Sequence, residues 1–139
     1  MMWKYYALLS ALFAALTALL VKCGVRGVNS NLATAIRTAV VLALTWGIVL
    51  FSDAKVQFRD LSGKNILFLV LSGLATGLSW LFYFKALQTG DVSKVAPIDK
   101  LSVVIAVIFG ILFLHEKVSW EIIVGSGLIL AGSVLLVMK

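Results

Sequence analysis

Cysteine, proline, histidine and charge are all scarce in this chain. Of its 139 residues one is cysteine, one proline and one histidine, and 13% carry charge, against about 25% in an average soluble protein. The lone Cys23 excludes an intrachain disulfide and any cysteine-rich metal site. The lone His115, beside Glu116 at the end of an apolar run, makes a poor metal site, and both read as interfacial charges. Strict apolar–polar alternation is missing too, which argues against a β-barrel. No nucleophile–base set, phosphate-binding loop or pair of catalytic carboxylates can be assembled. An enzyme is therefore not expected, nor a cofactor or a metal.

What is abundant is hydrophobic sequence, 62% of the chain. Apolar stretches run over residues 3–21, 31–51, 65–84, 95–114 and 118–138. Each is close to the ~20 residues a helix needs to cross a bilayer core of about 30 Å. The sequence thus predicts an all-α integral membrane protein: five transmembrane helices, short connections, and one domain over 1–139. Lys4 ahead of the first apolar run imitates a signal peptide, and "LVKC" at 20–23 imitates a lipoprotein site. Lys22 stands where a small residue is required, so helix 1 is read as retained.

The net charge of +6 does not point to nucleic acid, because the basic residues are scattered over short loops and form no single patch. They bear instead on topology. Five spans put Lys4, Lys55, Arg59, Lys64 and Lys117 on one side of the membrane, and Lys22, Arg26, Lys85, Lys94 and Lys139 on the other. The positive-inside rule works through an imbalance between such sets, and here there is none. Either one orientation is set by features such as Arg37 and Lys100, or the chain inserts both ways and pairs as an antiparallel dimer.

Ionisable residues within spans are functional candidates by default. Pro97, Asp99 and Lys100 stand near the start of the fourth stretch. If helix 4 began at Pro97, both charges would lie in a hydrated first turn, with proline well placed and Asp99 favoured by the helix dipole. Yet the 14 residues from Leu101 to Leu114 make only about 21 Å of helix, roughly 9 Å short of the core. Lys100 can snorkel outwards; short Asp99 cannot. Arg37 in helix 2 repeats this arithmetic on the same side. An Arg37–Asp99 pair is the expected neutralising contact, with Lys100 as surplus charge and a purely structural salt bridge as the rival.

Milder polar residues follow helical spacing. Ser72, Thr76, Ser79 and Tyr83 share a face of helix 3, beside bulky Trp80. Thr34, Thr38 and Thr45 share one on helix 2. Ser102, Ala106 and Gly110 continue the face of Asp99, and helix 1 offers Ser10, Ala14 and Thr17. Helix packing in membranes uses such residues too, but their convergence with three charges favours a cavity. Helix 5 has no ionisable group within its span. Its Gly125, Gly127, Ala131 and Gly132 read as a helix-packing or dimer face.

These residues resemble one EamA-type repeat of the drug/metabolite transporter superfamily over essentially the whole chain. Lys22 and Arg37 match the family's recurrent Lys and Arg, and "FYFKALQTGDVSKVAPI" its entry into helix 4. "ILFLHEKVSWEIIVGSGLILAGSVLL" is similar to the family's "lfLGE…liG…LIl-G" ending, with Leu114-His115-Glu116 in place of Leu-Gly-Glu. Helix 4 departs from the pattern: apolar residues are usual where Asp99 and Lys100 stand, and the proline near 103 is replaced by Val103 and moved to 97.

Typical members carry two inverted repeats, so the resemblance implies a missing half supplied by an antiparallel copy or a homologous small partner. That agrees with the balanced charges and with a general transporter design. The expectation is a multi-pass transporter of the cytoplasmic (inner) membrane, moving small polar or anionic metabolites by alternating access. Arg37, Asp99, Lys100, Ser72, Thr76, Ser79, Trp80, Tyr83 and Ser102 would bind or gate the substrate, and Asp99 is the candidate proton-coupling site. Helix 1 lacks an acidic residue, which disfavours bulky organic cations. The alternatives are a lipid-carrier flippase subunit and a non-transporting membrane scaffold.

Overall fold

A computed structural model describes residues 2–52 and 61–138. They form α1 (Met2–Gly24), α2 (Ser30–Phe51), α3 (Gly63–Thr89), α4 (Val92–Asp99), α5 (Leu101–Leu114) and α6 (Trp120–Val137), with no strand among the described residues. Taken together, α4 and α5 make one span, Val92–Leu114, so five helical stretches are long and apolar enough to cross a membrane. The all-helical, five-span architecture expected from the sequence is the one observed. Lys55, Arg59 and Lys139 of the charge count, and most of the connection between the second and third spans, lie outside the described residues.

Apolar side chains face outward along the helices. Leu8, Leu42, Leu69, Ile105 and Leu128 are all more than half exposed, and the only side chains fully buried among those described are Phe84 and Leu87. A soluble monomer rarely shows contiguous apolar patches beyond a few hundred Å². This surface is one that lipid solvates. Between helices in lipid the hydrophobic effect offers no drive, so van der Waals packing and polar contacts must hold them.

Helix ends shift from the sequence expectation for local reasons. Third in order, α3 runs on past Lys85 to Thr89, making about 40 Å of helix where a span needs about 30 Å. Its last turn, carrying Gln88, thus has length to reach the interface. The last helix starts at Trp120, because Ser119 is its N-cap and accepts from the Ile122 amide through its side chain. The fourth span starts at Val92, with Asp91 as its N-cap residue. Pro97 therefore lies inside a helix and does not open one.

The chain divides into two compact units, Val21–Gln88, and Met1–Leu20 with Thr89–Lys139. In the Val21–Gln88 unit the end of α3 grips the α1–α2 turn. Gln88 Nε2 donates to the carbonyls of Val28 (2.6 Å) and Val25 (3.4 Å), and Lys22 Nζ donates to Leu87 O at 2.7 Å. The turn itself needs Gly27, whose φ of 73° is costly for other residues, and Asn29, whose side chain caps α2 by accepting from Asn31 N. Val25, Thr34, Phe84 and Leu87 are buried around this grip.

In the other unit α6 packs on both α4 and α5. The most buried residue of its contact face is Ser133, 5% exposed. Gly125, Gly127 and Gly132 have no neighbour within 4 Å of where a Cβ would stand, so the small-residue stripe does not make the packing inside the chain. At the end of α5, His115 adopts the left-handed conformation (φ 54°, ψ 36°) and the Glu116 amide reaches back to Gly110 O at 3.2 Å. The His115 and Glu116 amides thus both turn to the Gly110 carbonyl, closing the helix at a left-handed position where glycine is usual. The Glu116 carboxylate folds over Gly110.

Candidate functional site

Two groups of ionisable residues lie well inside the spans, one in each unit. The first centres on Arg37. Within α2 it sits about 5 Å along the axis from the middle of the helix. The Arg37 guanidinium carbon lies 3.9 Å from the centroid of the Trp80 ring and 5.5 Å from that of Phe84. Trp80 and Phe84 are four residues apart on α3, so they share a face and offer a continuous aromatic floor. The Tyr83 phenol lies within electrostatic reach of the guanidinium. A planar cation on an indole gains about 0.5–2 kcal/mol, more as water is removed. A guanidinium held on rings in this way can offer its N–H edges to a planar acceptor.

Among the described residues of its own unit, no acidic side chain faces this group. Residues 21–52 and 61–88, the described part of the unit, contain Lys22, Arg26, Arg37, Lys64 and Lys85 and neither Asp nor Glu. Within the unit, Arg37 has aromatic partners and no counter-anion among the described residues. Lys22 is differently employed, capping the last turn of α3 through Leu87 O.

The second group is built on a break. The backbone N–H of Lys100 turns to the carbonyls of Ala96 (3.3 Å) and Pro97 (3.1 Å), and Val103 N bonds Lys100 O at 3.0 Å. The bond to Ala96 is of α-helical span, but the other two are tight, three-residue closures that mark the break between α4 and α5. Asp99 is half-buried, and its carboxylate lies 3.5 Å from Lys100 Nζ. The break is about 4–6 Å from the middle of the Val92–Leu114 span, deeper than a first-turn placement would put it. Freed backbone groups at such depth cost several kcal/mol unless met by protein. Ser133 adds a donor at this turn, its hydroxyl bonding Pro97 O at 2.9 Å beside the Lys100 amide.

Residues singled out from the sequence thus separate. Arg37, Trp80 and Tyr83 come together in one unit; Asp99 and Lys100 come together in the other. Arg37 and Asp99 belong to different units, and each is described within its own. The hydroxyl stripes behave otherwise than lining groups should. Thr34, Thr38, Thr45 and Thr76 all donate to the carbonyl four residues back, Ser30, Thr34, Val41 and Ser72 respectively, at 2.8–2.9 Å. Their protons go to their own helices, a standard refuge for threonine in lipid. Ser72, Thr76, Ser79 and Ser102 are exposed on the outside of their units. Ser133 and Gln88 were missed, since a single serine in an apolar helix or a glutamine at a helix end carries no periodic signal.

A helical membrane protein with several spans and ionisable groups held deep within them is the class these observations define. The chain belongs to the EamA-like transporter family, which it matches over residues 1–138. It is 51% identical, over 134 residues, to the "uncharacterized transporter in cobO 3'region" of Sinorhizobium sp., covering 96% of this chain and 95% of that one. No solved structure matches it. The protein is accordingly a membrane transporter.

Proposed function

We propose that the protein carries small carboxylate- or phosphate-bearing metabolites, amino-acid-like solutes included, across the cytoplasmic membrane by alternating access. The observation that carries this reading is the Arg37–Trp80 contact, with no acidic partner among the described residues of its unit. A cation fixed by aromatic rings at mid-span, with its hydrogen-bonding edges unassigned, is a receptor for a planar oxyanion. Organic cations would be repelled from it.

The complete transporter is proposed to be two copies in opposite orientation. Balanced loop charges and a transporter relative of almost this chain's length support the pairing, which would place an Arg37 group in each half of the bilayer. Asp99, beside Lys100 at the helix break, is the proposed proton-coupling residue. Gly125, Gly127, Ala131 and Gly132, open within the chain, are the proposed contact between copies.

The test is thermal stabilisation of the purified protein by a panel of mono- and dicarboxylates, amino acids, phosphate esters and organic cations. At least one anion is expected to raise Tm, with Arg37→Lys reducing its apparent affinity by about tenfold, since lysine keeps the charge and loses the planar edge. Stabilisation by none of the anions, or by cations alone, contradicts the reading. In the first case Arg37–Trp80 is packing, as a scaffold would have it.

A further inference from the structure

Ser133 on α6 is one of only two polar residues that are buried among those described. The other, Thr34, turns its hydroxyl to its own helix. Ser133 does the opposite and reaches 36 residues back to Pro97 O. That carbonyl belongs to the turn that ends α4, and it also accepts the Lys100 amide at 3.1 Å. Two consequences follow from the chemistry. Proline has no N–H, so the hydrogen-bond ladder is already weakened one turn before Lys100. The proline supplies no donor for the Ser93 carbonyl four residues earlier, and the α6 hydroxyl, a second donor to the Pro97 carbonyl beside the Lys100 amide, braces the turn from outside the span.

We propose that Ser133 is a positioning residue: by holding the Pro97 carbonyl it fixes the α4–α5 break, and so fixes where Asp99 and Lys100 point. This rests on the proposal that Asp99 and Lys100 serve transport. The bond is a latch of the kind a gate needs. An uncharged hydroxyl on a carbonyl is weak enough to release, because interhelical hydrogen bonds in membranes contribute little net stability, yet directional enough to define one closed geometry. While it holds, α4, the Asp99–Lys100 pair and α6 move as one body. When it parts, the break at Lys100 is free to flex and the two charges can swing.

The experiment is hydrogen–deuterium exchange on the full-length protein in lipid nanodiscs, with no substrate present. In Ser133→Ala the amides of residues 98–103 are expected to exchange roughly three- to tenfold faster, the scale of one interhelical hydrogen bond, with Ser133→Thr restoring the native rate. Acetylation of Lys100 by a small acylating reagent, referenced to Lys94 and Lys117 in the same sample, should rise in Ser133→Ala and return in Ser133→Thr. Unchanged exchange at 98–103 overturns the proposal. So does a uniform acceleration that includes α2 and α3, which would mark Ser133 as ordinary packing. Should Ser133→Ala fail to fold, Ser133→Cys, similar in shape with a weaker donor, must show the intermediate rate or the proposal fails. These readings need no substrate, so they can fail while the anion reading stands, and the reverse.

Discussion

At the scale of single residues, two side chains stand where another type would be easier. Arg37 lies deep in a span and is tolerated because Trp80 and Phe84 flank it. His115 adopts a left-handed backbone that costs a residue with a Cβ about 1–2 kcal/mol, whereas glycine takes it freely. The expected effect of His115→Gly is a stabilisation of about 0.5–1 kcal/mol, after allowing for the added freedom of glycine in the unfolded chain. Reversible unfolding in mixed detergent micelles would register it. A loss of stability instead would mean that the imidazole makes a contribution larger than its backbone cost. The sequence already hinted at this strain, since His115 replaces the glycine of the Leu-Gly-Glu pattern that the chain resembles. What could not be read was the reason, because a φ value has no letter.

Elements were legible to differing degrees. Length and apolar content suffice for five spans, since a bilayer of about 30 Å allows few other readings of such stretches. The start of the fourth span is less legible. Its apolar stretch reads as 95–114, with a helix opening at Pro97 as the rival reading because proline is welcome in a first turn. The helix begins at Val92, and the proline stands inside it. The residue that bonds this turn from outside, Ser133, is 36 residues away and invisible to local rules. Likewise, face arithmetic aligned Thr34, Thr38, Thr45 and Thr76 correctly on helices but could not say that each hydroxyl bonds its own backbone. Gln88 is the matching case in the other unit. Its two bonds to Val25 O and Val28 O close the α1–α2 turn. Gln88→Ala is expected to cost about 1–2 kcal/mol, as the Val28 carbonyl loses a short bond, and to speed proteolysis at residues 25–29. An unchanged cleavage rate would show that Lys22 and the buried Val25 hold the turn unaided.

For the whole molecule the positive charge is unevenly spread: the described part of Val21–Gln88 is purely basic, while Asp91, Asp99, Glu116 and Glu121 all lie in the other unit. The loops, by contrast, are balanced between the two sides of the membrane, and that balance is what leaves orientation undecided. The proposed inverted pair would use both facts, placing one Arg37 group and one Asp99–Lys100 pair in each leaflet. The loop count supports this proposed arrangement; the family and the Sinorhizobium relative show a membrane transporter. The most direct test is the position of the C-terminus in intact cells, using a reporter read separately for cytoplasmic and external exposure. The account predicts both signals in comparable amounts from one population of chains. A single orientation, shared by all copies, would contradict self-pairing and require an oppositely inserted partner chain to complete the transporter.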